Sequence, residues 1–203
     1  MPSNIIAFDI GTAQLKLAWF SGKTCRLTAS APVPDGLVRG GVIVSMDAMA
    51  DFLWQLAREH DLPRKAQAAV ILPASLPFTR VTELPPMTAG QLTYNLPFEF
   101  KDYLTQEKNK YYFDYAVQEL TRDETGTVRQ MKLFACAALK STVEDYRNMF
   151  ARAGMRLAAA LPEEAAYAAL LTADSAQLGG DTDHCLVDVG HTGIRMYILR
   201  GDR

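Results

Sequence analysis

Two stretches of this chain share one pattern, strand, Asp-x-Gly turn, strand, and they lie near its opposite ends. The first is Asp9-Ile10-Gly11-Thr12-Ala13-Gln14-Leu15-Lys16, set between Ile5-Ile6-Ala7-Phe8 and Leu17-Ala18-Trp19-Phe20. β-Branched and aromatic runs joined by a small-residue turn predict a hairpin. The second is Leu186-Val187-Asp188-Val189-Gly190-His191-Thr192-Gly193, followed by the alternating Ile194-Arg195-Met196-Tyr197-Ile198-Leu199. Such a chain brings a carboxylate, a flexible glycine and a hydroxyl to each of two turns. An isolated Asp-x-Gly-Thr is also what an ordinary hairpin turn contains, so one copy alone leaves function open.

These residue types suit phosphate and metal. Backbone N–H groups at Gly11 and Thr12 can form a concave nest for phosphate oxygens, the Thr12 hydroxyl adds a donor, and Lys16 supplies positive charge. Asp9 repels phosphate and would act through Mg²⁺ or its waters. Two such hairpins far apart in sequence suggest two half-sites facing one ligand.

Composition narrows the classes. At 203 residues, 49% of them hydrophobic, the chain has enough apolar surface for one large or two small domains. A net charge of −2 offers no basic stripe with which to displace counterions from a nucleic acid. Cys25, Cys136 and Cys185 are odd in number, widely spaced and without a C-x-x-C, which speaks against a disulfide framework or a zinc site and fits a reducing cytoplasm. No apolar run approaches the roughly 20 residues that span a bilayer, and the first residues lack the pattern of a signal peptide.

Along the chain, Thr24 to Ala31 predicts a third strand, and Asp35-Gly36 with Gly40-Gly41 brackets a turn before Val42-Ile43-Val44. Met49, Phe52, Leu53, Leu56 and Ala57 share one helical face, with Ser45 or Asp47 as cap and Pro63 as terminator. Ala68 to Leu72 is a buried strand stopped by Pro73. Between Pro73 and Leu139 come a strand (Phe78 to Leu84), a helix opened by the capping box Thr88-x-x-Gln91, and two strands (Tyr111 to Leu120, Val128 to Leu139) around the turn Asp123-Glu124-Thr125-Gly126. This predicts a separate β-α-β-β module. Pro97 is expected to kink or restart the helix near Phe98, Ser141-x-x-Glu144 to cap the next helix, and Gly154 to end it.

The two hairpins resemble the first and second phosphate loops of the actin, Hsp70 and sugar-kinase superfamily. Leu161-Pro162-Glu163-Glu164-Ala165-Ala166-Tyr167-Ala168 resembles its connecting helix. The module's position is similar to that in the cell-division protein FtsA. Leu84-Pro85-Pro86-Met87, Leu96-Pro97-Phe98-Glu99 and Tyr111 to Leu120 resemble the type IV pilus protein PilM and the cytoplasmic domain of the type II secretion protein GspL more than FtsA. The fold implied is α/β, an actin-like (ribonuclease H-like) domain with an inserted β-α-β-β subdomain. Residues 1–76 and 140–182 would form subdomain 1A, 77–139 the inserted subdomain 1C, and 183–203 the first hairpin of a second actin domain that is largely missing.

The resemblance implies ATP and Mg²⁺ as ligands, with Asp9, Gly11, Thr12, Lys16, Glu164, Asp188, Gly190 and Thr192 at the cofactor and Asp9 and Asp188 meeting Mg²⁺ through water. Binding is expected to be weak or lost. Position 193 is Gly where the family usually has a hydroxyl, His191 stands where a small residue is common, and the sequence ends at Arg203 before the adenine-binding glycines. No catalytic residue is assigned. The function implied is a scaffold, cytoplasmic and peripheral at the inner face of the cell membrane. In PilM such a scaffold holds the short tail of an inner-membrane partner, PilN, in a groove between the main and inserted subdomains; other pilus or secretion assembly proteins are further partners. The alternatives are a GspL-like secretion component, or a kinase or ATPase of the superfamily, which needs a catalytic base and an adenine pocket that these residues do not supply.

The remaining candidates have plainer readings. His60, His184 and His191 are too dispersed for a metal site. Trp19 and Trp54 are expected in the core or lining a groove. Tyr111, Phe113 and Tyr115 alternate with Tyr112 across two strand faces, one core and one exposed. The Ala-rich stretch from Ala151 to Ala176 suits close packing, and Glu107-Lys108-Asn109-Lys110 a solvated turn.

Overall fold

A computed structural model describes residues 4–178 and 183–199 of the chain. The chain divides into two compact units, Met1–Pro73 with Val143–Asp202, and Ala74–Thr142. Residues 179–182 and 200–203, which the expected boundaries include, lie outside the described residues.

In the first unit, β1 (Asn4–Ile10), β2 (Gln14–Ser21) and β3 (Thr24–Pro32) form an antiparallel meander. A short ribbon of β4 (Val38–Arg39) and β5 (Val42–Ile43) follows, closed by Gly40 and Gly41 at φ 57° and 80°, the left-handed pair that a tight hairpin turn demands. Helix α1 (Met46–Glu59) leads to β6 (Gln67–Leu72), which pairs parallel with β1. After the second unit, α3 (Lys140–Arg152), β10 (Arg156–Pro162), α4 (Glu163–Leu178), β11 (His184–Val189) and β12 (Ile194–Leu199) complete the first. The sheet order is β10-β6-β1-β2-β3, and among the described residues β11 and β12 pair only with each other.

Period-two burial explains the sheet. Ile6 and Phe8 of β1 and Leu15 and Leu17 of β2 are buried, and the ring of Phe8 lies 5.2 Å from that of Phe150 on α3. Burying each of these large side chains is worth about 1.5–3 kcal/mol. Their neighbours on the opposite face are small, Ala7 opposite Ala18 and Ala69. Ser45 is the cap of α1, its hydroxyl accepting from the Ala48 N–H at 3.3 Å; Asp47 sits in the first turn and meets Arg152 of α3 at 3.1 Å. The helix stops at Glu59, short of Pro63, and Asp61 turns the chain at φ 49°. Trp54 departs from expectation: it is 46% exposed, with the Arg58 guanidinium 4.8 Å above its ring. Trp19 is half-buried and its indole N–H donates to Asn4.

The second unit is an antiparallel sheet, β7 (Phe78–Leu84), β9 (Val128–Leu139) and β8 (Tyr111–Arg122), with helix α2 (Ala89–Glu99) packed against it. Leu92 of the helix packs with Met131 and Leu133, and Leu96 and Phe100 with Tyr111, Ala135 and Ala137. The capping box at Thr88 and Gln91 forms in both directions. Pro97 does not restart the helix, which runs through it to Glu99. It falls in the last turn, where few hydrogen bonds remain to be lost, and the end is held from β7: the Arg80 guanidinium donates to the Glu99 carbonyl and the Thr82 hydroxyl to the Glu99 carboxylate at 2.6 Å. The Ser141 cap is also corrected. Strand β9 runs straight into α3 at Lys140, so Ser141 lies inside the first turn. At the other end Gly154 takes φ 82°, and the Met155 N–H donates back to the Phe150 carbonyl at 2.8 Å, a left-handed helix stop.

Candidate functional site

The first hairpin holds Gly11 in a turn with no room for a side chain. Its N–H donates to the Gln14 carbonyl at 3.0 Å, and a Cβ there would stand 2.8 Å from that oxygen. The N–H offered to a phosphate by the sequence is therefore engaged inside the turn, which leaves the half-buried Thr12 as the donor at the tip. Asp9 and Lys16 face each other across the strands, with Lys16 Nζ 3.2 Å from Asp9 Oδ2 and both side chains more than half exposed. A pair so hydrated is worth little, about 0–1 kcal/mol, so Lys16 is free to turn to an anion. Beside it a cleft of about 560 Å³ opens on the small-residue face of the sheet, lined by Ala7, Asp9, Lys16, Ala18, Thr28 and Ser30.

The second hairpin repeats that geometry. Gly190 N–H donates to the Gly193 carbonyl at 2.9 Å, and a Cβ at Gly190 would stand 3.2 Å from it. Asp188 lies opposite Arg195 as Asp9 lies opposite Lys16, with Arg195 Nε 3.6 Å from Asp188 Oδ2. His191 and Thr192 are exposed at the tip. The difference is depth. Arg195 Nη1 donates to both oxygens of Glu163, at 3.1 and 2.9 Å, and the Tyr197 hydroxyl donates to Glu163 Oε1 at 2.6 Å. Glu163, only 6% exposed, opens α4, where the N-terminal end of the helix favours a carboxylate. The Tyr167 ring stacks at 4.6 Å on that of Tyr197, in a tilted arrangement.

Charge follows from this geometry. Burial raises the Tyr197 hydroxyl above its usual pKa, and the hydrogen bond to Glu163 and that residue's charge raise it further. Tyr167 is raised by burial first and then by the charges of Asp188, Glu163 and Asp9, with Arg195 opposing. Both hairpins' aspartates therefore act on one phenol. Glu163, Tyr167, Arg195 and Tyr197 carry no role in the sequence reading, and Glu164, assigned to the cofactor there, is the half-buried neighbour of the residue that meets the hairpin. The available signal was the alternation Arg195-x-Tyr197 within an otherwise apolar strand.

The first half-site suits a phosphate group, with Thr12 and a displaceable Lys16. The second fits a divalent cation poorly, because Arg195 already lies between Glu163 and Asp188. Among the described residues no three His, Cys, Asp or Glu side chains cluster as a metal cage, and no helix is long and apolar enough to cross a membrane.

No protein-family model matches the sequence, and no curated protein matches it. Solved structures do. A chain of the PilM–PilN type IV pilus biogenesis complex is similar with a TM-score of 0.80 and 22% identity, over 98% of this chain and 59% of that one. The cytoplasmic domain of EpsL, an inner-membrane component of the type II secretion system of Vibrio cholerae, is similar with a TM-score of 0.52 and 15% identity, over 79% and 58%. A Bacteroides thetaiotaomicron protein with an actin-like ATPase fold and unknown function gives a TM-score of 0.52 at 10% identity, over 100% and 67%. This chain thus spans under two thirds of the first two. The paired hairpins, the β10-β6-β1-β2-β3 sheet and these likenesses together establish an α/β protein of actin-like fold.

Proposed function

We propose that the protein is an actin-like scaffold of a type IV pilus assembly machine that holds the short cytoplasmic tail of a PilN-like inner-membrane protein. The observation that carries this reading is the likeness, over 98% of the chain, to a chain of the PilM–PilN complex. In this reading the protein lies in the cytoplasm and reaches the inner face of the membrane through its partners. On this reading unit Ala74–Thr142 serves as the inserted subdomain, and β11 with β12, which fall within the first unit, are the first hairpin of a second actin-like domain.

An extended tail is suited to adding a strand to a sheet edge, where unpaired N–H and C=O groups supply affinity and side-chain pockets selectivity. In the second unit β8 lies at an edge and is 12 residues long. Nucleotide binding is weak or vestigial. Asp9, Thr12 and Lys16 keep the makings of a phosphate contact, whereas Gly190 and Thr192 belong to a hairpin whose cation is already held by a buried glutamate as well as by its aspartate. A GspL-like secretion role is the second reading, supported by the likeness to EpsL.

The test is a fluorescence titration with the cytoplasmic tail of the membrane protein encoded beside this one. Ordering a flexible tail opposes binding, so saturable binding with a micromolar dissociation constant, about −8 kcal/mol, is expected. Deleting residues 77–139 should abolish it and Asp9→Ala should not. No binding to any such tail would overturn the reading.

A further inference from the structure

The two hairpins are built alike but closed differently. Each places an aspartate directly across the strands from a basic residue, Asp9 from Lys16 and Asp188 from Arg195. Lys16 is a solvated point charge with one carboxylate partner. Arg195 has two, donating to the 8% exposed carboxylate of Glu163 at 2.9 Å and reaching Asp188 with Nε at 3.6 Å. A planar guanidinium with five donors bridges two carboxylates in a way that an ammonium does not. Its positive charge thus sits against both carboxylates that a hard divalent cation would need as oxygen ligands here.

We propose that Arg195 is the resident cation of the second half-site: it bridges Glu163 and Asp188, fixes β11–β12 to the start of α4, and excludes divalent metal from Asp188. This rests on reading the two hairpins as half-sites of one phosphate-binding fold, and it gives the scaffold a closed second loop that needs no nucleotide for its charge balance. The first half-site stays open, so any phosphate contact is confined to Thr12 and Lys16.

The probe is Mn²⁺ alone, followed by electron paramagnetic resonance and by thermal melting of the whole chain. The wild-type chain should show no Mn²⁺ binding that Asp188→Asn removes. Arg195→Ser frees two carboxylates on facing elements and should bind Mn²⁺ about tenfold or more tightly than wild type, with a matching rise in melting temperature. Arg195→Ser with Asp188→Asn should lose that gain. Wild-type binding that depends on Asp188, or an Arg195→Ser protein that folds and gains nothing, overturns the proposal. If Arg195→Ser does not fold, Arg195→Gln, which keeps the bulk and hydrogen-bonding capacity but not the charge, is measured in its place, and a folded Arg195→Gln protein that gains no Mn²⁺ binding overturns the proposal. Tail binding measured on the same proteins should be unchanged, so failure here is distinguishable from failure of the scaffold reading.

Discussion

Glu163 is the acid around which the second hairpin is organised, and its neighbours can be removed one at a time. Tyr197→Phe deletes one hydrogen bond to a charged acceptor and should cost about 1–2 kcal/mol, a fall of a few degrees in melting temperature for a chain of this size. Glu163→Ala strands the Arg195 guanidinium and the Tyr197 hydroxyl. It should cost more, about 2–3 kcal/mol, the figure for a buried pair being discounted because Arg195 is 49% exposed. Alkali should weaken the same region. Tyr197 is raised above the usual tyrosine value, and burial pushes Tyr146 up to about 12. A tyrosine raised in the fold holds its proton more tightly there than in the unfolded chain, so its contribution is complete below pH about 10 and disappears as pH climbs through the folded value. Urea unfolding followed above pH 10 should show that loss, and Tyr146→Phe with Tyr197→Phe should flatten the slope. The hairpin turns that carry Asp9 and Asp188 were legible because an Asp-x-Gly turn is local. The Glu163–Arg195 pair was not, since it joins residues 32 apart and its strength comes from burial, which no short motif encodes.

The elements followed local chemistry wherever that chemistry was uncontested. Gly154 is an example: at φ 82° it carries a conformation that L side chains resist, and Gly154→Ala should cost about 1–2 kcal/mol in a urea titration with the slope unchanged. The Asp123 turn is another. Its carboxylate accepts from the Thr125 hydroxyl and from the N–H groups of Thr125 and Thr127, which holds its pKa below the usual range although partial burial opposes the shift. Expectation failed where two elements met. Pro97 was tolerated because Arg80 and Thr82 receive the helix end, and Ser141 lost its capping role because β9 passes into α3 without a loop. The β4–β5 ribbon was missed because two residues per strand give no period to read. On β11–β12, Val187, Val189, Ile194, Met196 and Ile198 form one apolar face, each at least 50% exposed.

At the scale of the molecule, the order strand, strand, strand, helix, strand, module, helix and the closing hairpin was readable from periodicity and turn residues, whereas β10 and α4 between them were marked only by an Ala-rich stretch and by the resemblance of Leu161 to Ala168 to a connecting helix. Function is less directly written, because one fold serves scaffolds and enzymes alike. What favours the scaffold is chemical: each aspartate of the paired hairpins is matched by the protein's own cation, and the deeper pair is anchored by a buried glutamate. On the proposed reading the second hairpin needs no Mg-ATP for its charge balance, while the weakly paired Lys16 stays open to an anion. The most direct test is calorimetry of the neighbouring membrane protein's tail peptide against the whole chain, once in a metal chelator and once in Mg-ATP. The account predicts micromolar binding with the same dissociation constant in both. Binding that appears only with Mg-ATP, or none in either, would contradict it.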